Sequence, residues 1–232
     1  MASLLVLATI ITTNGCQKKN SMEENAVTTN QPSSMNYLAL GDSYTIGQSV
    51  EANERFPYFL TQLLRQQAIQ INDPEYIATT GWTTANLQSA IAAKGNLGTY
   101  DLVTLLIGVN DQYQHLDTAG YRTRFVQLLE KSIVLAGNRP SRVFVFSIPD
   151  YSATPFVPAG NKKNVSTEID AFNKINYEIT KERGVAYIDI TPLTREAATD
   201  ASLVASDGLH YSGKEHKLWA EKAAPIITKV LQ

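Results

Sequence analysis

Residues 36–47 read NYLALGDSYTIG, in which the apolar run Tyr37-Leu38-Ala39-Leu40 ends at Gly41-Asp42 and is followed by Ser43. A short apolar run that ends at a glycine is typical of a buried β-strand that turns directly into a helix. At such a turn Ser43 either caps the helix or presents its hydroxyl at the edge of the sheet. The tripeptide alone leaves both interpretations open.

The same pattern recurs along the chain. Further apolar runs cover residues 75–79, 102–108, 142–148 and 185–190, so that with 36–41 they predict five strands. Most of these runs are too apolar for a sheet with one face in water. Because they alternate with stretches of helical period, we predict an α/β fold with a parallel sheet that is covered by helices on both faces.

Four of the intervening stretches have helical periodicity and recognisable ends. Residues 56–64 and 125–133 are amphipathic, and the second stretch has Asp117 as a candidate N-cap and Gly137 as its end. A third helix, around 169–179, is expected to end at Gly184. Ser212 and Glu215 have the spacing of a capping box ahead of the closing helix.

Composition excludes several classes of protein. The chain has 232 residues, of which 44% are hydrophobic, and this suits a single domain with a sizeable core. Its 20 basic and 22 acidic residues are spread out without a basic run, so we expect no nucleic-acid partner. One cysteine, Cys16, and three histidines without zinc-ligand spacing predict no metal site, and we expect no cofactor.

The amino terminus differs from the rest of the chain. Residues 4–11 are apolar and are followed by Gly15-Cys16 and a polar stretch, which predicts a signal peptide over residues 1–16. Gly15-Cys16 resembles the end of a bacterial lipoprotein signal, so lipidation of Cys16 and attachment to a membrane are expected. Thr13 stands where leucine is usual, and the alternative is an ordinary signal peptide with an incidental cysteine.

The composition of residues 17–34 cannot form a core and predicts a flexible polar tether, so the folded domain is expected to span 35–232. We expect an exported protein of the bacterial cell envelope, either periplasmic or anchored to a membrane, or a secreted protein.

Ser43 has candidate partners near the end of the chain. A serine nucleophile needs a base to take its proton and a third group to orient that base. In Asp207-Gly208-Leu209-His210 the acid and the imidazole are three residues apart, so one turn can join the carboxylate to one ring nitrogen. The other nitrogen can then face Ser43. His115 and His216 lack such an acid, and we interpret both as surface residues.

Three loops can supply hydrogen-bond donors to an oxyanion. These are the backbone N–H of Ser43, a turn that contains Gly81 after the second strand, and the side-chain amide of Asn110 after the third strand. Each also has an ordinary structural explanation. Gly81 can be a simple turn glycine, and Asn110-Asp111 can cap a helix.

Four sequence blocks together resemble those of the SGNH (GDSL-type) hydrolases: Gly41-Asp42-Ser43-Tyr44, Gly81, Gly108-Val109-Asn110-Asp111 and Asp207-Gly208-Leu209-His210. Tyr44 replaces the leucine in the family's name. The resemblance implies a three-layer α/β/α sandwich with flavodoxin-like strand order. It implies that Ser43 is the nucleophile, that Asp207 and His210 complete the triad, and that Gly81 and Asn110 are oxyanion donors.

The predicted reaction is hydrolysis of a carboxylic ester or thioester through an acyl-enzyme on Ser43. Lipid esters, lysophospholipids, thioesters and acetylated sugars all fit as substrates, because fold and triad do not choose among them. The alternatives are a carbohydrate O-acetyl esterase and a non-catalytic lipoprotein that binds glycans or lipids. The sequence leaves the oligomeric state open.

Two further features are expected at the same edge of the sheet. Tyr44, Trp82 and Tyr113 are candidates for the lining of an acyl pocket, although packing in the core is the commoner role of aromatic residues at such positions. The long segment 150–164 is either a loop that gates the substrate or a plain surface excursion.

Overall fold

The structure, a computed structural model, describes residues 34–232 together with Ala2. The predicted signal peptide, including Cys16, and the tether up to residue 33 lie outside the described residues, apart from Ala2. In the part of the chain that is described, no helix combines the length and apolarity needed to cross a membrane.

Five parallel strands form one sheet in the order β2-β1-β3-β4-β5. They are β1 (Tyr37–Gly41), β2 (Glu75–Ala78), β3 (Leu102–Leu106), β4 (Val143–Phe146) and β5 (Ala186–Ile188). This order is the flavodoxin-like one, so the predicted fold class is confirmed. All residues of β1, β3 and β4 are buried, whereas the two edge strands are partly exposed.

Each strand is one to three residues shorter than its predicted run. Ile107 and Ile148, which follow β3 and β4, are each only 1% exposed although they lie beyond the strands. The chain therefore stays buried beyond the last hydrogen bond between strands. The apolar pattern indicates which residues are buried and not which residues are paired in the sheet.

Eight α-helices connect and cover the strands among the described residues. They are α1 (Ser43–Ile46), α2 (Phe56–Gln66), α3 (Thr84–Ala93), α4 (Val109–Tyr113), α5 (Thr118–Leu135), α6 (Lys162–Glu182), α7 (Thr191–Arg195) and α8 (Gly213–Leu231). Helix α2 packs against α8, while α5 contacts both α3 and α6, and helices lie on both sides of the sheet. The predicted three layers are therefore present.

The predicted cap residues agree at α5 and at the end of α6 but not at α8. Helix α6 begins at Lys162, ahead of the predicted stretch around 169–179 and inside the predicted segment 150–164. Asp117 caps α5 by accepting from the N–H of Gly120 at 2.7 Å, and Gly184 follows α6 with φ +66°. The capping box predicted for Ser212 and Glu215 is wrong. The Ser212 hydroxyl donates to a distant carbonyl, and the buried Glu215 carboxyl accepts from the indole N–H of its own helix at 2.6 Å.

The order of the strands positions the site. The chain passes from β1 outward to β2 and returns to β3 on the other side of β1, which creates a topological switch point between β1 and β3. In register, Gly41 lies beside Ala78 of β2 and beside Leu106 of β3. The loops that follow these three strands therefore start at the same height, at the edge where ligands bind in such sheets.

Candidate active site

Ser43 is the first residue of α1, directly after the turn that ends β1. The turn requires a glycine at position 41, because a Cβ there would lie 2.1 Å from Oγ1 of Thr45 and 2.4 Å from the carbonyl oxygen of Leu106. The N-cap is Asp42, whose side-chain oxygen Oδ1 accepts from the N–H of Tyr44 at 3.0 Å. Ser43 is thus not the cap, and its hydroxyl is available to the cavity that it lines.

Asp42 is buried beside this turn and is distinct from the acid of the predicted triad. Burial raises the pKa of Asp42 to about 8, and the nearby charge of Asp111 adds to the increase, while backbone hydrogen bonds only partly offset it. The Asp42 carboxyl is therefore mostly protonated at neutral pH. Its role is to cap the helix that begins at Ser43.

Asp207 and His210 lie together in one turn. Nδ1 of His210 is 2.6 Å from Oδ2 of Asp207, and Oδ1 accepts from the N–H groups of Leu209 and His210, both at 2.9 Å. Burial alone would raise the pKa of Asp207, but hydrogen bonds from Ser49, Leu209 and His210 outweigh it and hold the pKa well below its usual range. The carboxylate therefore stays ionised and can orient the imidazole.

The cavity brings the predicted residues together. It measures about 300 Å³ and is lined by Ser43, Tyr44, Thr80, Gly81, Val109, Asn110, Tyr113, Tyr151, Phe156, Leu209 and His210. Of the five predicted site residues in the folded part, four line it directly, and Asp207 stands behind His210. The predicted acyl-pocket residues Tyr44 and Tyr113 are in the lining, whereas Trp82 is not.

Gly81 lies in the turn after β2, Asn110 lies in α4, and both line this cavity. Gly81 has φ +83°, a left-handed conformation that favours glycine, and no atom lies within 4 Å of where a Cβ would be. Nδ2 of Asn110 donates to the carbonyl oxygen of Trp82 at 2.9 Å, which fixes the amide. An amide has two N–H donors, so one remains for a ligand.

Asp111 of α4 binds the first residue of α3, Thr84, a contact that the sequence pattern did not indicate. Its buried carboxylate accepts from the N–H and the hydroxyl of Thr84, at 2.8 and 2.6 Å, and from Arg124 at 3.2 Å. The residue at the N-cap of α4 is Gly108, with no side-chain cap bond, so Asp111 does not cap its own helix. It connects the end of β3 to the start of α3 instead.

The other two histidines have separate environments. The His115 side chain is 80% exposed, as expected for a surface residue. The surface interpretation of His216 is wrong, because His216 is 1% exposed and packs against Trp219 with ring centroids 4.5 Å apart. Burial lowers its pKa to about 3, and its Nδ1 accepts from the N–H of Phe56 at 3.1 Å, so it is a neutral core residue.

The segment after β4 forms one wall of the cavity and is held at several points. The N–H of Phe156 donates to the carbonyl oxygen of Gly208 at 3.1 Å, inside the turn that carries Asp207 and His210. The buried Asp150 carboxylate accepts from Ser166 at 2.6 Å and from Arg195 at 2.8 Å. These bonds attach the segment to the turn that carries His210, to α6 and to α7.

Comparisons with known proteins identify the family of the chain and show which solved structures share its fold. The model of the GDSL-like Lipase/Acylhydrolase family matches residues 39–218. No curated protein sequence matches the chain. Among solved structures, TesA is similar with a TM-score of 0.66 at 15% identity, over 84% of this chain and 99% of its own.

Two esterases have the same fold at similarly low identity. EstA, a psychrotrophic esterase from Pseudoalteromonas sp. in a structure inhibited by monoethylphosphonate, has a TM-score of 0.62 at 16% identity, over 84% of this chain and 97% of its own. Axe2, an acetylxylan esterase from Geobacillus stearothermophilus, has a TM-score of 0.63 at 17% identity, over 83% and 94%. With the family model covering most of the folded chain, this protein belongs to the GDSL-like lipase/acylhydrolase family and is an ester hydrolase.

Proposed function

We propose that Ser43 is the nucleophile of this hydrolase, with His210 as its base and Asp207 as the residue that orients the base. The observation that carries the proposal is the short contact between Asp207 and His210 in a turn whose imidazole shares a cavity with Ser43. Asp207 is bound to Nδ1, so Nε2 is the nitrogen left to act on the serine hydroxyl.

The reaction then proceeds in two balanced steps. Oγ of Ser43 attacks the ester carbonyl carbon, its proton passes to Nε2 of His210, and the C–O bond to the alcohol breaks as His210 returns the proton to the leaving oxygen. Water next attacks the acyl-enzyme, gives a proton to His210, and releases the acid as Ser43 regains its hydrogen. In both steps the N–H groups of Ser43 and Gly81 and the amide of Asn110 stabilise the oxyanion.

The substrate that fits this cavity is a neutral ester with a short or medium apolar acyl chain. Among the described residues, the lining contains no Asp, Glu, Lys or Arg side chain. Tyr113, Tyr151 and Phe156 form an aromatic cluster with ring centroids 6.2 to 6.4 Å apart. Tyr113 and Phe156 are 52% and 44% exposed, so this apolar surface is open to a ligand.

The size of the cavity limits the chain. Small-molecule pockets usually measure ~300–1,000 Å³, and this one is at the lower end. Each methylene that is buried is worth about 0.8 kcal/mol, so kcat/KM should rise by up to about fourfold for each added carbon until the cavity is full. We expect the maximum at roughly four to eight carbons.

Carbohydrate O-acetyl ester hydrolysis is the second candidate, because the two exposed rings, Tyr113 and Phe156, could also stack on a sugar. Axe2, which has the same fold, is an acetylxylan esterase. The two candidates differ in where the rings act. An acyl site contacts the acid part of the ester, and a sugar site contacts the alcohol part.

Nitrophenyl esters from acetate to palmitate test this choice, with the Ser43→Ala variant as the blank. We expect turnover that peaks at medium chains and is abolished in Ser43→Ala. Phe156→Ala should reduce the preference for medium chains over acetate, while Tyr177→Ala, which removes a 47% exposed ring that does not line this cavity, should not. A profile that is highest for acetate in both parent and Phe156→Ala favours the acetyl esterase.

We further propose that the chain is exported and attached to a membrane through Cys16. The Gly15-Cys16 pair and the polar residues after it support this proposal. Mass spectrometry of the mature amino terminus tests it. A diacylated Cys16 as first residue is expected, and an unmodified Cys16 would leave an ordinary signal peptide as the explanation.

A further inference from the structure

The turn that follows α1 contacts Ser43, the residue next to Gly81, and Asp207. It consists of Gly47, Gln48 and Ser49, and we refer to it as the 47–49 turn. The N–H of Gln48 donates to the carbonyl oxygen of Ser43 at 2.9 Å. The Gln48 side chain accepts from the hydroxyl of Thr80 at 2.7 Å, and the Ser49 hydroxyl donates to Oδ2 of Asp207 at 2.7 Å.

The Ser49 hydroxyl binds the oxygen of Asp207 that also contacts the proposed base, His210. Oδ2 of Asp207 is the same oxygen that lies 2.6 Å from Nδ1 of His210. Ser49 is separated from Asp207 by 158 positions in the chain, so this bond is formed only by the fold. A hydroxyl that donates to Oδ2 fixes the carboxylate and favours its charged form, which is consistent with the low pKa of Asp207.

The backbone of the turn is held in an unfavourable conformation. Ser49 has φ +65°, and Gly47 has φ +71°. A left-handed conformation at a residue other than glycine, such as Ser49, costs free energy and often marks a functional position. Glycine is required at 47 for a second reason, since a Cβ there would lie 2.5 Å from the Arg55 side chain.

The second arm of the turn acts next to the oxyanion donor. Thr80 immediately precedes Gly81, and both residues line the cavity. Thr80 and Gln48 are exposed, so their hydrogen bond competes with bonds to water and adds little to the free energy of unfolding. We expect the bond to act by fixing the position of the Gly81 loop. Through this bond the Gly81 loop is tied to the turn that also binds Ser43 and Asp207.

We propose that the 47–49 turn positions the catalytic groups: Ser49 orients the Asp207 carboxylate toward His210, and Gln48 keeps the Gly81 loop in register with Ser43. Ser49 and Gln48 are thus positioning residues, and they touch no substrate. This inference rests on the proposed roles of Ser43, Asp207 and Gly81.

Two variants at position 49 distinguish the effect of the Ser49 hydroxyl from the effect of its backbone conformation. Ser49→Ala removes the hydroxyl and keeps the unfavourable φ, whereas Ser49→Gly removes the hydroxyl and relaxes the backbone. We expect both to lower kcat about three- to tenfold, the effect of one net hydrogen bond, with KM unchanged. If Ser49 only shaped the turn, Ser49→Gly would keep the full kcat, and that result would overturn the proposal for Ser49.

A spectroscopic signal reports the same contact without turnover. The proton on Nδ1 of His210 lies between the ring and Oδ2 of Asp207, so its NMR chemical shift depends on how that oxygen is bonded. Both Ser49 variants should move this resonance. The control Ser89→Ala removes an exposed hydroxyl that bonds within α3 at 3.0 Å and should change neither the resonance nor kcat.

Gln48→Ala tests the other arm. We expect kcat and the rate of labelling by a fluorophosphonate to fall about three- to tenfold, because both depend on the oxyanion donors. Gln127→Ala is its control, since it removes one exposed side-chain bond, from Gln88, at 2.8 Å. Unchanged rates in Gln48→Ala would exclude the Thr80 link from function. A parent protein that is never labelled at Ser43 would instead refute the proposed function itself.

Discussion

The carboxylate of Asp207 is bonded on both oxygens, with Oδ2 2.6 Å from Nδ1 of His210 and Oδ1 2.9 Å from the N–H of the same residue. One turn therefore sets both the position and the plane of the carboxylate relative to the imidazole. Because the groups are three residues apart, one turn brings them together, and the fold adds the Ser49 bond to Oδ2 and places the pair beside the cavity that Ser43 lines.

Asp207→Asn should lower kcat by about 10⁴-fold with little change in KM, because an amide facing Nδ1 favours the wrong tautomer of His210. Steady-state hydrolysis of nitrophenyl butyrate measures this. Asp200→Asn is the matched control, since Asp200 caps a neighbouring turn and pairs with Lys214 at 2.8 Å outside the cavity. Equal losses in both variants would indicate damage to the fold rather than to the triad.

Asn110→Ala should reduce kcat by roughly 10²–10³-fold, the usual cost of removing one side-chain oxyanion donor. The variant also loses the bond to Trp82, so its melting temperature should be recorded beside its kinetics. A variant that stays folded and keeps near-normal kcat would remove Asn110 from the oxyanion hole.

Gly81→Ala and Gly184→Ala form a matched pair. The two glycines have φ +83° and +66°, and no atom lies within 4 Å of either Cβ position, so alanine adds conformational cost without a clash. Each variant should lose about 1–2 kcal/mol of stability in thermal or urea unfolding. Only Gly81→Ala should also lose activity, by about tenfold or more, because its N–H is displaced from the oxyanion. Equal activity in the two variants would contradict the role of Gly81.

The contribution of Asp42 to the free energy of unfolding should decrease as the pH rises, because its pKa is raised in the fold. Its pKa is near 3.9 in the unfolded chain and about 8 in the fold, so between these values the unfolded state binds fewer protons. The free energy of unfolding from this group therefore falls as pH rises from about 4 to about 8. Asp42→Asn keeps an acceptor for the N–H of Tyr44 and removes the titration.

Urea unfolding of the parent and of Asp42→Asn at several pH values measures the difference. From about pH 4 to about pH 8 the free energy of unfolding of the parent should fall relative to that of the variant. Both proteins keep the opposing contributions of Glu215, whose pKa burial raises to about 7, and of His216, whose pKa burial lowers to about 3, so these cancel in the comparison. Identical pH slopes in the two proteins would show that Asp42 is ionised in the fold.

The sequence predicted the strands, both ends of α5 and the end of α6 because these depend on neighbours in the chain. Apolar runs such as Leu102–Leu106 record burial on both faces, and Asp117 and Gly184 act on the helix beside them. Strand order came from the family resemblance and not from periodicity. A run of apolar residues does not encode which strand lies next to it.

The features that the sequence missed are contacts between distant segments. His216 was misjudged because a histidine suggests a surface position, and Glu215 because its spacing from Ser212 suggests a capping box. Only their contacts with Trp219 show that both lie in the core. The bonds from Ser49 to Asp207 and from Phe156 to Gly208 likewise join separate loops. The four family blocks indicated the proposed reacting groups, and the structure shows the contacts around them.

Labelling with a fluorophosphonate, followed by mass spectrometry of the peptides, tests the central claim most directly. A triad hydrolase reacts with such a probe only through its activated serine. One adduct per chain, on Ser43, is predicted, with none in Ser43→Ala and slow labelling in Asp207→Asn. A folded protein that hydrolyses esters yet remains unlabelled, or is labelled at another residue, would contradict the assignment of Ser43 as nucleophile.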